Sequence, residues 1–176
     1  VWVLLVMVLS QIYDNVTGKG MSPRTAAIPT AEAVVTPDDT VTTIANLQSC
    51  VAANPKNLKC VQDLAGLYYD LKQYPQAQVN YQQAIQLDPH NVALLLRLGG
   101  TYIYQQKFSE AAQTLRQADT LQPNSPQILL LLGLALSKSN PPQLDNAVLA
   151  WRKVVSLSPG TDYAQQAAQY INESGR

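Results

Sequence analysis

The chain has 176 residues, with 12 basic and 12 acidic side chains and only 14% charged residues, so its formal net charge is zero. That balance excludes nucleic acid as the partner, because displacing phosphate counterions needs a lysine- and arginine-rich patch. One Phe and 8 Gly beside 9 Tyr and many Leu and Ala favour helices over strands, and the length suits about one domain.

Val1 to Leu9 carry no polar side chain. A bilayer span needs about 20 apolar residues, so the run is short for one. A signal-peptide core is a rival reading, and a short helix buried against another protein is a third. The chain begins with Val rather than Met, and the apolar run fades over Gln11 to Tyr13. The expectation is an uncleaved hydrophobic (transmembrane) helix over residues 1–13, truncated at its start, that meets the lipid bilayer through Val1–Leu9. Residues 14–37 then read as an extended linker, because Gly18, Gly20, Pro23, Pro29 and Pro37 interrupt any periodicity.

From Asp38 onward the chain repeats. Leu64-Ala65, Leu98-Gly99 and Leu132-Gly133 recur at 34-residue intervals, as do Pro55, Pro89 and Pro123. Ala77 and Ala111 are 34 apart, and Ala111 to Ala147 is 36, which places two extra residues near Asn140-Pro141-Pro142. Independent landmarks that share one period define a repeat architecture. Small residues mark where helices approach closely, and each boundary proline ends a helix. Helices are expected near 58–71, 74–87, 92–105, 108–121, 126–139 and 143–157, with capping helices at 38–53 and 161–172. Tyr163, Ala167 and Tyr170-Ile171 recur at helical spacing in the last of these. Such caps close the ends of a solenoid.

The units 58–91, 92–125 and 126–160 resemble tetratricopeptide repeats (TPRs). Leu64, Ala65 and Tyr68 match the first-helix pattern of that family, as do Leu98, Gly99 and Tyr102; the third unit has Leu132, Gly133 and Leu136. Ala77, Tyr81, Ala84 and Pro89 match the second-helix pattern. Leu115 replaces the aromatic in the second unit, and Val154 replaces an alanine in the third, where Trp151 supplies the aromatic. The resemblance covers residues 38–176 and implies an all-α, right-handed solenoid of helical hairpins that binds proteins. Trp151 to Ile171 is also similar to TPR proteins of cytochrome c maturation and to a translocon-associated TPR protein.

Cys50 lies one turn before the Asn54–Asn57 turn and Cys60 about one turn after it. Antiparallel helices bring the two near each other, so either a disulfide forms or two thiols act as small apolar residues. A bridge implies an oxidising compartment, periplasmic or equivalent. The ten-residue spacing is not a zinc signature. His90, the one histidine, sits in an inter-repeat turn without a converging nucleophile and acid. No catalytic residue, metal, cofactor or small-molecule substrate is expected.

In TPR proteins the first helix of each repeat lines the concave face. Carried onto this chain, the resemblance implies a partner-binding groove of Gln62, Tyr69, Leu96, Arg97, Gly100, Ile103, Tyr104, Leu130, Leu134 and Lys138. The clamp that some TPR domains use for a terminal carboxylate is absent, since Gln62 and Gly66 stand where it needs Lys and Asn. The reading is a non-catalytic accessory or scaffold subunit whose partners are other subunits of a membrane protein complex, with an envelope assembly factor or chaperone-like TPR protein as the alternative.

Overall fold

The computed structural model describes residues 37–175; the expected anchor at Val1–Leu9 and the linker up to residue 36 lie outside the described residues. Eight α-helices follow one another, and there is no strand among the described residues. They are α1 (Pro37–Ala53), α2 (Leu58–Asp70), α3 (Tyr74–Leu87), α4 (Val92–Tyr104), α5 (Phe108–Leu121), α6 (Pro126–Lys138), α7 (Leu144–Leu157) and α8 (Asp162–Glu173). Pro37, assigned above to the linker, instead opens α1, where the missing amide proton of proline costs nothing.

The repeat extends to the details of the helix ends. Asn57 caps α2 by accepting from the Cys60 amide, and Asn91 caps α4 by accepting from Leu94. Both satisfy an otherwise orphaned donor. At the third start Ser125 makes no side-chain cap, and Pro126 occupies the first helical position. The α2 and α4 C-termini close alike. Lys72 and Gln106 take positive φ (59° and 60°), and the amides of Gln73 and Lys107 reach back to the carbonyls of Tyr68 and Tyr102. This is the left-handed helix stop usually given to glycine, here held by two long polar residues. The third hairpin turn carries the two extra residues and closes differently. Ser139 Oγ is buried there, 2.8 Å from the Leu136 carbonyl and 2.9 Å from that of Pro141.

Size complementarity holds each hairpin together. The small first-helix positions Ala65, Gly99 and Gly133 are matched on the second helix by Tyr81, Leu115 and Trp151, all buried. A Cβ on Gly99 would lie 2.7 Å from Leu115 Cγ, and one on Gly133 would collide with the Trp151 indole. Trp151 Nε1 also donates to the Leu130 carbonyl at 3.2 Å. Ala77, Ala84, Ala111, Ala118 and Ala147 are fully buried and let neighbouring helices close up around these large side chains.

Between hairpins a polar tie repeats. Gln82 Nε2 in α3 donates to the Tyr102 hydroxyl of α4 at 2.8 Å, and Gln48 in α1 makes the same bond to Tyr68 of α2. The two bonds are 34 residues apart, so α1 occupies the place of a second helix whose first helix is not among those described. Cys50 and Cys60 are joined by a disulfide across the α1–α2 turn, with Cα atoms 6.1 Å apart. Their counterparts one repeat on, Ala84 and Leu94, are both core residues. At the other end α8 buries Ala164 and Ala167, and packs Tyr170 and Ile171 against the core. Tyr163, which shares the helical spacing of Ala167 and Tyr170-Ile171, is an exposed residue, and Ala164 takes the first place in the buried stripe.

Two stability outcomes follow from this packing. Gly99→Ala forces Leu115 to move and should cost about 1–3 kcal/mol. Gly66→Ala, whose Cβ would meet only the Tyr81 hydroxyl at 3.9 Å, should gain up to about 1 kcal/mol from helix propensity. Urea denaturation of the two variants checks the opposite signs. The disulfide closes a loop of ten residues, so Cys50→Ser with Cys60→Ser should lose roughly 2–3 kcal/mol. Cys50→Ala with Cys60→Leu restores the pair found one repeat on and should lose less. Melting curves of the oxidised parent and both double variants test that order.

Candidate partner-binding surface

The first helices α2, α4 and α6 carry the residues assigned to the groove, but the structure distributes them over three places. Tyr69, Leu96, Arg97 and Gly100 line one cavity of about 370 Å³, together with Ala93, Gln127 and Leu131. Gln62 lies in a second of about 610 Å³, whose wall includes Gly66, Asp70 and, again, Arg97. Leu134 and Lys138 belong to a third of about 380 Å³, formed with Trp151 of α7 and Tyr170 of α8. The C-terminal cap thus borders the end of the expected apolar stripe.

Leu130 requires a correction. It was placed in the groove, yet it is only 5% exposed and belongs to the hydrophobic core. Its helix, α6, is apolar over Ile128 to Leu132 and is covered on several sides, which leaves Leu131 rather than Leu130 at the cavity. Ile103 and Leu96 are half-buried and rest against the core. Tyr104 is the exposed aromatic of the set, at 59%.

Four tyrosines form a cluster that the sequence reading had only in part. The Tyr74 and Tyr104 rings stack at 4.8 Å with an interplanar angle of 3°. Tyr69 meets both edge-on at 5.8 Å, and Tyr81 at 6.5 Å. Such edge contacts align ring quadrupoles favourably. Burial, reinforced by the neighbouring Tyr104 hydroxyl, pushes the Tyr69 phenol up to about 12. The Tyr81 phenol is raised as well, chiefly by burial. Both therefore stay neutral donors across the physiological range. Tyr74 was missed because it opens α3, a second helix, while the groove was read from first helices alone. Its register, 30 residues before Tyr104, is not a repeat spacing and gave no signal.

Arg97 is the charged feature of this face. Its guanidinium carbon sits 5.6 Å from the Tyr69 ring centroid, which is within cation–π range. Among the described residues the ion pair found is Lys59–Asp63, and no carboxylate pairs with Arg97. The exposed Arg97 side chain lies beside the Tyr69 ring and lines both of the first two cavities. Gly100 bares the backbone beside it, with only the Tyr69 hydroxyl near its missing Cβ, at 3.5 Å. Lys138 stands apart, 5.9 Å from the Phe108 ring centroid. Among the described residues no three His, Cys, Asp or Glu side chains converge as metal ligands, and no helix is long and apolar enough to cross a membrane.

Comparison with known proteins bears on the fold. Residues 70–135 match the family model described as tetratricopeptide repeat. No curated protein sequence matches the chain. Among solved structures, a crystal structure of MamA superposes with a TM-score of 0.66 at 19% identity, covering 78% of this chain and 87% of that one. The first TPR domain of Spaghetti (RPAP3), bound to an HSP90 peptide, gives 0.61 at 19% identity over 67% of this chain and 90% of that one. The second TPR domain of human RPAP3, in complex with an HSP70 peptide, gives 0.60 at 22% identity over 66% and 92%. At these identities the likeness is one of fold. Residues 70–135 thus carry the tetratricopeptide-repeat pattern, and the described helices share the helical-hairpin stack of these solved structures.

Proposed function

We propose that the protein is a non-catalytic scaffold subunit of a membrane protein complex, and that it holds a neighbouring subunit in the cavity between α2, α4 and α6. The observation that carries this reading is Arg97. A guanidinium without a carboxylate partner, held by an aromatic ring beside a bare glycine backbone, is arranged to receive a carboxylate or carbonyl of another chain. Leu96 and Leu131 supply apolar surface beside it, and Tyr104 adds exposed ring area and a hydroxyl. Solved TPR domains that carry HSP90 and HSP70 peptides agree with peptide capture as the mode.

The membrane part of the proposal rests on the apolar run Val1–Leu9. An extracytoplasmic location, periplasmic or equivalent, is supported by the Cys50–Cys60 bridge, since such bonds persist in oxidising compartments. Leu96 and Ile103 reach the core only in part, so changing both to Ser separates binding from folding. The double variant should lose its co-purifying partner in mild detergent while its melting temperature falls by no more than a few degrees. Full retention with a normal melt, or a collapsed melt, overturns the groove assignment. Arg97→Gln should weaken retention by about tenfold, on the order of 1.5 kcal/mol for one charge-assisted hydrogen bond, without touching the melt.

A further inference from the structure

Among the described residues, the N-terminal end of the stack leaves open a face that is covered in the later repeats. α1 is a second helix, fixed as such by the Gln48–Tyr68 bond that repeats as Gln82–Tyr102. Thr43 and Leu47 of α1 correspond by 34 residues to Ala77 and Tyr81, and by 68 to Ala111 and Leu115. All four counterparts are buried under their own first helix, whereas Thr43 is exposed and Leu47 half-open. Leu67 of α2 is half-open too, although its counterparts Thr101 and Ala135 are both at 0% exposure. Gly66 completes the set. Its counterpart Gly100 faces the Tyr69 hydroxyl of the preceding first helix, 3.5 Å from where a Cβ would stand. Among the described residues Gly66 has Tyr81 of α3 near it, at 3.9 Å. These residues line the cavity of about 610 Å³.

We propose that this slot takes one amphipathic α-helix from another polypeptide, docked antiparallel to α1 in the place of a first helix, with an aromatic side chain seated on Gly66. The stack specifies the chemistry of the occupant. α2 meets α3 and α4 through Leu64, Tyr68 and Tyr69, so the incoming helix needs apolar residues three and four apart, ending in an aromatic pair. The 34-residue register would assign the role to residues 24–36 of this chain, but Pro29 falls in mid-helix there, at the place of Asp63. Proline in that position removes a backbone hydrogen bond and clashes with the preceding turn. A helix supplied from outside meets no such obstacle.

The probe is a synthetic, helix-stapled peptide with the sequence of residues 57–71 and Cys60 replaced by Val, which already fits an equivalent site inside the stack. It is added to the full chain, and backbone amides are followed by NMR. The expected result is one-to-one binding with shifts concentrated at Thr43, Leu47, Gly66 and Leu67. Gly66→Gln fills the slot while removing a glycine from mid-helix. It should lower the peptide affinity at least tenfold with a melting temperature unchanged or raised. The Leu96→Ser, Ile103→Ser variant should bind the peptide as the parent does, which separates this surface from the groove. Shifts elsewhere, equal affinity in Gly66→Gln, or no binding overturns the proposal. So does a slot already filled: by a second copy, seen as a dimer that Gly66→Gln dissociates, or by residues 1–36, seen as contacts from that segment to a spin label at position 67.

Discussion

The structure depends on one steric bargain, made once in each hairpin. A residue with little or no side chain on the first helix admits a large side chain from the second. Ala65, Gly99 and Gly133 are set against Tyr81, Leu115 and Trp151, and the largest ring faces a residue without a Cβ. Interiors pack at crystal-like density, so each match fixes both the separation and the rotation of its two helices. Once the hairpins are fixed, the remaining geometry follows by stacking. Each hairpin contacts its sequence neighbours, and the first helices come to lie side by side on one face.

That arrangement explains why the fold was legible in the sequence. The matched positions are local, they recur, and they involve residue types that differ sharply in size. Leu64-Ala65, Leu98-Gly99 and Leu132-Gly133 therefore give the period directly, and the boundary prolines give the phase. Helix ends fall within a residue or so of expectation for the same reason: Asn57 and Asn91 announce two starts, and Pro126 a third. The non-glycine left-handed turns at Lys72 and Gln106 were not legible, because nothing in those residue types signals positive φ.

The binding surface was read less well, and the physical reason is specific. A repeat pattern says which helix face points inward, but not how much of it neighbouring helices cover. α6 is the clearest case. Its apolar run extends round the helix, and only packing decides that Leu130 is core while Leu131 borders the cavity. Leu134 and Lys138 line a separate cavity beside Trp151 and Tyr170, a grouping that the repeat period does not announce. Tyr74 entered the cluster because aromatic contact depends on ring placement between helices of different repeats. Arg97, by contrast, was identified from position alone, and its cation–π perch required coordinates.

The Gln48–Tyr68 and Gln82–Tyr102 bonds have no counterpart at the next junction. There position 136 is a leucine without a hydroxyl, and Arg116, in the place of the glutamine, turns to Gln143 ahead of α7 instead of to α6. Apolar contact among Leu95 of α4, Ala118 of α5 and Ile128 of α6 serves this junction instead, and such contact is indifferent to direction. The α4–α6 cavity spans this junction, so the surroundings of Arg97 carry directional side-chain ties on the α1–α4 side and apolar packing on the α6 side.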